Sequence, residues 1–426
     1  MLDIKYIVEN PEEVKRNVAA RNAVCDVDRL IALYGEIKAL RRDLEELNAN
    51  INRNQKTIGG AETNEARGAI IENGRRMKAE AAALKERLDA CSPEYEELML
   101  SVPNTMAEDT PLGKNEELNV VVETFMEPTV FDFAPQNHAE IGKRLDLIDF
   151  ESGAKVAGNK FYFLKNEAVI LDLAIQMYVI KKLVGLGFTP LVTPDLAKSE
   201  ILRGSGFNPR GDERNIYNIE DTDLNLIATA EITVGGMLAD TVCDASELPK
   251  KYVAFSHCFR TEAGAAGRAG YGLYRVHQFS KVEMYQFTRN EDGERALREL
   301  LGIEKAIYSE LELPYRVIRV CSGDLGAPAH KKYDVEAWMP GKGEGGEYGE
   351  ITSVGNFTNF QSRRLNIKYT DENGKRQYVN TLNGTASATG RTILAILENY
   401  QQKDGSVKIP RVLLPYTGFD RIEPKR

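Results

Sequence analysis

Two runs of apolar residues on either side of a glycine pair constrain this chain more than any other feature. From Asp26 to about Ile58, the residues Leu30, Leu33, Ile37, Leu40, Leu44, Leu47 and Ile51 recur in steps of three and four, the seam of a coiled coil. After Gly59-Gly60 a second run places Ile70, Met77, Ala81, Leu84, Leu88, Cys91, Tyr95 and Leu98 at the same kind of spacing. Two helices joined at a tight tip make an antiparallel hairpin. At about 1.5 Å of rise per residue, an arm of about 33 residues reaches about 50 Å, more than a compact domain needs to bury its own surface. The pattern by itself suits a dimerisation coiled coil as well as a device that grips something large. Arg41, Arg42, Arg53, Lys56, Arg75, Arg76 and Lys78 occupy the middle and tip, and Glu94, Glu96 and Glu97 the root. Acidic residues interleave with the basic ones, so the same charges also fit a solvated face.

The segment "SVPNTMAEDTPLGKNEELN", 101–119, is rich in Pro, Gly, Asn and acids and reads as a linker. It divides the chain into a domain over 1–104 and a second over 105–426. Beyond it, "EAVILDLAIQMYVIKKLVGLG" predicts an amphipathic helix closed by Gly187. Short β-rich runs follow: "FTPLVTP", "NLIATAEI", "YVAFSHCFR", "KVEMYQF", "YRVIRVC" and "YGEITSVGNF". Strands in close succession with few helices between them imply a mainly antiparallel sheet flanked by helices, an α+β plan. The run "TGRTILAILENYQQ" predicts a helix packed on that sheet. A net charge of −9 weighs against general adhesion to nucleic acid or anionic membrane, while leaving room for a local basic stripe. Five dispersed cysteines without a CxxC pair read as reduced thiols rather than a zinc or redox motif. The amino terminus has acids where a signal peptide needs a basic start, and no run approaches a membrane span, so a cytoplasmic protein is expected.

Three stretches carry groups suited to chemistry. In "YVAFSHCFRTE" strand alternation would point Arg260 and Glu262 to one face, where the guanidinium can fork onto a carboxylate or phosphate. An Arg-x-Glu alone equally fits a cross-strand pair on a solvated sheet. The following "AGAAGRAGYG" allows close approach of backbone to a ligand. In "EYGEITSVGNF", Glu350, Thr352 and Ser353 bring a carboxylate beside hydroxyls, a plausible seat for Mg²⁺ carrying phosphates or a plain polar strand. In "TLNGTASATGRTILAILENY", Gly390 and Arg391 stand at the start of a helix, where free N–H groups and a guanidinium favour an anion.

Together and in this order, these stretches resemble a class II aminoacyl-tRNA synthetase, and closely the seryl-tRNA synthetases. The resemblance runs from the helical arm to "KIPRVLLPY". "GFTPLVTP" is similar to the family's first motif, which with its preceding helix builds a homodimer interface in the catalytic domains. "FRTE" with "HQFSKVE" resembles the second and "NGTASATGR" the third, while "TAE" resembles the serine-binding strand. The resemblance implies ligation of L-serine to serine tRNA, and to selenocysteine tRNA where a cell has it, through seryl-adenylate formed from ATP with Mg²⁺. It implies that Arg260 holds the α-phosphate and the serine carboxylate, that Thr261 binds ATP, that Glu262 lies by the adenine with Val276, and that Phe279 stacks on it. Glu350, Ile351, Thr352 and Ser353 would line the phosphates, with Glu350 and Ser353 on Mg²⁺, and Arg391 would grip pyrophosphate. Thr229, Ala230, Glu231, Glu283 and Thr385 would hold serine, and the arm cations would meet the tRNA backbone. A carboxylate left without the serine hydroxyl would reject alanine by about 10⁴-fold, and threonine would be excluded by volume. No zinc is expected, because the carboxylate and hydroxyl set of the common form is present.

The chain departs from the family pattern in places. Thr385 and Ala386 stand where Ser and Gly are usual, and "GRAGYGLYR" keeps Arg268 but lacks an acidic and basic pair at Ala269 to Tyr271, which bears on the transfer step. Two other readings stay open: a paralogue that loads a carrier protein, and a non-catalytic binding protein. The intact arm argues against the first. Arg260, Glu350 and Arg391 argue against the second.

Overall fold

The computed structural model describes residues 1–207, 215–262 and 272–425, and the chain divides into two compact units, Met1–Thr105 and Met106–Arg426. The first unit holds α1 (Ile4–Glu9), α2 (Pro11–Ala20), α3 (Val27–Thr57) and α4 (Asn64–Ser101). Asp26 caps α3 by accepting from Arg29 N, and Thr63 caps α4 by accepting from Ala66 N, which satisfies donors the first turn leaves unpaired. Leu30, Leu33, Ile37 and Leu40 are buried along α3. Every apolar residue expected on the facing seam, from Ile70 to Leu98, is half-buried. Such a narrow seam leaves the other faces of both helices wet. At the root Ile7, Val14, Val18, Leu30, Met99 and Val102 form a small core, and the Arg29 guanidinium forks onto Glu94 at 2.8 and 2.6 Å. Near the tip Asn54 Nδ2 donates to Ile70 O at 2.9 Å, and a Cβ on Gly74 would lie 2.9 Å from that nitrogen, so a larger residue there would displace the Asn54 amide.

The segment expected to be a linker is docked instead. Val102 and Asn104 are buried in the first unit, where Asn104 O accepts from Asn17 Nδ2 at 3.0 Å and Arg21 Nη1 at 2.7 Å. In the second unit Ala107 N donates to His330 O and Ser322 N to Pro111 O. Its composition marks irregular backbone, and such backbone satisfies its polar groups by packing.

The second unit is built on an eight-stranded sheet. Its strands are β1 (Val120–Phe125), β2 (Thr189–Val192), β3 (Lys250–Phe259), β4 (Gln278–Thr288), β5 (Tyr315–Arg319), β6 (Lys331–Met339), β7 (Glu347–Thr358) and β8 (Asn380–Ala388). They lie in the order β1-β5-β6-β7-β8-β4-β3-β2, and only the β2-β3 pair is parallel. Helices α5 (His138–Arg144), α6 (Glu167–Gly185), α7 (Ala230–Gly236), α8 (Gly293–Glu310) and α9 (Thr389–Asn399) surround it. On α8, Ala296, Leu297, Leu300, Ile303 and Ile307 recur at helical spacing and are buried, and the helix contacts β4, β7 and β8. The plan is α+β with an antiparallel-dominated sheet. Sequence periodicity missed β1, β6 and β8: β8 is buried at every position, so it shows no alternation. The run "NLIATAEI" is strand only at Asn225 and Leu226, the end of the strand Leu224–Leu226, and from Ala230 it is α7. All five cysteines are free thiols. Among the described residues no helix is long and apolar enough to cross a membrane.

Candidate active site

A cleft opens where β3, β4, β7 and β8 meet the start of α9. Its lining includes Arg260, Phe279, Lys281, Glu350, Thr385 and Arg391, drawn from segments far apart in sequence. Two β-bulges shape it. Ile351 is the extra residue of β7 against β6, and Ala386 the extra residue of β8 against β4. A bulge re-aims the side chains beside it, and both fall among residues expected to touch ligand.

Arg260 follows the last residue of β3, with its N–H donated to His277 O at 2.9 Å. Its guanidinium lies over the Phe279 ring at 5.3 Å, an attraction between cation and ring face. The expectation that Arg260 and Glu262 share a strand face is corrected here. The strand ends at Phe259, Glu262 has a φ of +49° and its carboxylate pairs with Arg275, so the two residues reach the cleft they both line from a turn and not from one strand face. Asn215 Oδ1 accepts from Glu262 N at 2.8 Å and holds that turn. Thr261 Oγ1 lies 3.5 Å from the same Asn215 oxygen, and Thr261 does not line the cleft. Val276 is buried and does line it.

Across the cleft, Arg391 is the third residue of α9. Nε donates to Tyr274 O at 3.1 Å and Nη1 to Glu350 O at 2.8 Å, and the guanidinium lies over the Tyr274 ring at 4.5 Å. Glu350 Oε1 stands 3.5 Å from Nη1. Burial pushes the Glu350 carboxyl up, but Arg391, Lys332 and Arg260 outweigh it and hold it below the ordinary carboxylate value. Ile351 and Thr352 are buried in the same wall, and Thr352 Oγ1 donates to the buried Glu304 at 3.0 Å. Ser353 lies directly across from Asp334 and outside the cleft's lining.

Glu350 and Ser353 offer the hard oxygen donors that Mg²⁺ takes from protein when phosphates and water supply the rest. Asp334 stands across from Ser353, its carboxyl pushed up to about 7 by burial, with Lys332 Nζ 3.4 Å from Oδ1. Of these groups Glu350 lines the cleft, and its carboxylate chemistry fits a phosphate-borne Mg²⁺. Among the described residues no three His, Cys, Asp or Glu side chains gather into a protein-only metal site.

Behind the cleft lies a second group. Glu283 on β4 is 1 % exposed, and register places Thr385 of β8 directly opposite it. Its carboxylate accepts from Thr229 Oγ1 at 2.5 Å and from Thr385 Oγ1 at 3.3 Å, and pairs with Lys281 Nζ at 2.5 Å. Burial alone would raise its pKa, but Lys281, Thr229 and Asn383 more than offset this and keep it lowered. Thr229 is the N-cap of α7, not part of a strand: its hydroxyl also accepts from Glu231 N at 3.2 Å, which starts the helix after Leu226. The first turn then buries Ala230 and Glu231. Gln361 Nε2 donates to Glu231 at 2.6 Å, and burial, then the neighbouring Glu283, push its carboxyl up to about 7.

Lys281, Tyr274, Arg275 and Gln361 escaped sequence reading. Strand alternation through Phe279, Lys281 and Glu283 carried a signal for the first. The other three sit in irregular segments or a short helix with none. The arm cations Arg41, Arg42, Arg53, Lys56, Arg75, Arg76 and Lys78 are all exposed, and Arg42 and Arg75 pair with Asp43 at 2.9 Å and Glu72 at 3.5 Å. Arg268 and the altered residues Ala269 to Tyr271 lie outside the described residues.

Residues 216–400 match the tRNA synthetase class II core domain (G, H, P, S and T), and residues 1–106 match the seryl-tRNA synthetase N-terminal domain. The serine-tRNA ligase of Borrelia recurrentis is 50 % identical over 425 residues, covering 100 % of both chains, and that of Treponema denticola is 48 % identical over 99 % of this chain and 100 % of its own. The crystal structure of seryl-tRNA synthetase from Pyrococcus horikoshii complexed with ATP superposes with a TM-score of 0.91 at 37 % identity, covering 100 % of each chain. Identity of this extent leaves one assignment: the chain belongs to the seryl-tRNA synthetases, within the class II aminoacyl-tRNA synthetases.

Proposed function

We infer that this protein activates L-serine with ATP and transfers the seryl group to the 3′ end of serine tRNA. The observation that carries the serine assignment is Glu283: a buried carboxylate ringed by Thr229, Thr385 and Lys281 at the back of a cleft whose mouth carries Arg260 and Arg391. In the first step an oxygen of the serine carboxylate attacks the α-phosphorus of ATP, and the bond to the β-phosphate oxygen breaks as pyrophosphate leaves. Arg260 would hold the serine carboxylate and the α-phosphate, where negative charge builds in the transition state and a fixed cation stabilises it. Arg391 is pinned by Tyr274 O and Glu350 O, so it would meet the departing pyrophosphate without reorganising. Mg²⁺, held by Glu350 and Ser353, would neutralise phosphate charge. Phe279 would stack on the adenine, with Val276 and Glu262 at its edge. In the second step a hydroxyl of the terminal adenosine attacks the seryl carbonyl carbon and AMP leaves.

Serine would place its ammonium by Glu231 and its hydroxyl by Glu283 and Thr385. Alanine would leave that polar lining without the hydroxyl it is built to meet. The arm's exposed cations would contact tRNA backbone. A homodimer is supported by α6: it buries Leu171, Ile175 and Leu183 on one side, yet leaves Ile170, Leu173 and Met177 exposed at helical spacing, and β2 forms the sheet edge. Changing both Leu173 and Met177 to Asp should leave a monomer in sedimentation. A dimer that persisted would remove this face from the interface.

Serine-dependent ATP–pyrophosphate exchange followed by charging of serine tRNA tests the whole reading. Exchange without charging would favour a carrier-loading paralogue, and absence of exchange would end both enzyme readings.

A further inference from the structure

The phosphate-side arginine is held by a backbone segment that is itself held from an unexpected direction. Arg391 rests on the carbonyl and ring of Tyr274. Tyr274 ends the short turn Gly272–Tyr274. On its far side this turn meets a cavity of about 190 Å³, walled by His138, Met339, Leu394 and Glu398 with the loop Gly341 to Gly343. On its core side the turn is packed: Leu273 is buried in the same cluster as Leu394, and the turn touches α5 and α9. A hydrogen bond ties its backbone as well. Leu273 N donates to His138 Nε2 at 3.0 Å.

A ring that accepts at Nε2 carries its proton on Nδ1, and Nδ1 stands 2.7 Å from Glu398 Oε1. The two side chains are 5 % and 2 % exposed. Glu398 is held in turn, accepting His138 N at 3.0 Å and Gly341 N at 2.8 Å. The ring also requires its neighbour to be glycine: Gly272 has a φ of +63°, and a Cβ there would fall 2.0 Å from His138 Nε2. Lys342, from the loop that Glu398 anchors, lies over the Tyr274 ring at 5.3 Å. Tyr274 is thus flanked by two cations, one from the cleft and one from the cavity side.

We propose that His138, anchored by Glu398, is a positioning residue for ATP: its bond to Leu273 fixes the turn Gly272–Tyr274, and that turn orients Arg391. The proposal rests on the reading of Arg391 as the phosphate-side cation. It predicts an effect on ATP that serine does not share, because Glu283 is held by Thr229, Thr385 and Lys281, and the turn by His138.

The test is calorimetric ATP binding on the full chain, with the serine KM from exchange and a thermal unfolding curve for each variant. His138→Asn keeps a donor near Nδ1 for Glu398 and removes the acceptor for Leu273. It should weaken ATP binding by about tenfold, the effect of one lost hydrogen bond, with the serine KM within about twofold. His138→Gln places an acceptor near Nε2 and should recover most of the affinity. A folded Asn variant with wild-type ATP affinity, Asn and Gln variants equally weakened, or ATP and serine affected alike would each overturn the proposal. Should the Asn variant not fold, Gly272→Ala decides, since its methyl displaces the same contact: weakened ATP binding supports the proposal and unchanged binding overturns it. Wild-type protein that binds ATP without serine-dependent exchange would instead count against the proposed function, and the ratio of ATP affinities would still report on His138.

Discussion

The group around Glu283 and the tip of the helical arm would both recognise substrate, and they are built in opposite ways. Glu283 is fully buried, and its carboxylate is shared among Thr229, Thr385 and Lys281 at fixed distances. Each partner is on a different element, so the sheet register and the α7 cap set the geometry before any ligand arrives. The arm spreads seven cations over exposed helix faces, with Arg42 and Arg75 paired to neighbouring acids. Preorganised buried groups make recognition steep, because a missing partner leaves a polar atom with nothing to replace it. Scattered exposed charges make it graded and sensitive to salt.

The largest effect is expected at the cleft mouth. Arg260→Ala should cut serine-dependent exchange by about 10³-fold or more while the thermal transition is retained, since a fixed cation facing developing charge is removed. Activity within tenfold of wild type would place the phosphate grip elsewhere. A smaller, pH-dependent effect should mark Glu231, whose carboxyl titrates near 7. The ammonium of serine needs it ionised, so kcat/KM for serine should rise as pH passes upward through about 7, and Glu231→Gln should flatten that rise. The stability effect has the opposite sign. Between the ordinary value of 4.5 and about 7 the folded chain keeps a proton that the unfolded chain releases, so this group lowers stability as pH climbs through that window. A Glu231→Gln variant with the wild-type stability slope would contradict the assignment. The smallest effect belongs to the arm: Arg75→Ala with Arg76→Ala should spare exchange, weaken tRNA binding by about tenfold and reduce the salt slope by about 1 to 2. Unchanged affinity and slope would move the contact off the tip.

These two regions also differ in how far the sequence discloses them. The arm is legible because a helical seam is a local pattern, and each apolar position from Leu30 to Leu98 could be assigned by spacing alone. Arg391 is legible for the same reason, standing at the start of an apolar helix. The serine group is not, because Thr385 faces Glu283 only through strand pairing across about a hundred residues of chain, and the bulges at Ile351 and Ala386 break the alternation that would be used to assign faces. Thr229 was misplaced on a strand because Thr and Ile suit strands, whereas its hydroxyl caps a helix. Glu262 was misplaced because its left-handed backbone is a property of the turn after β3, and its partner Arg275 lies beyond the intervening loop.

Exchange measured with serine and with alanine on the wild-type protein tests most directly whether the buried group reads the substrate hydroxyl. The kcat/KM ratio should favour serine by about 10⁴, as expected when a site built to hydrogen-bond a hydroxyl meets the analogue that lacks it. A preference of about tenfold or less, the scale of a merely shape-based pocket, would contradict the account.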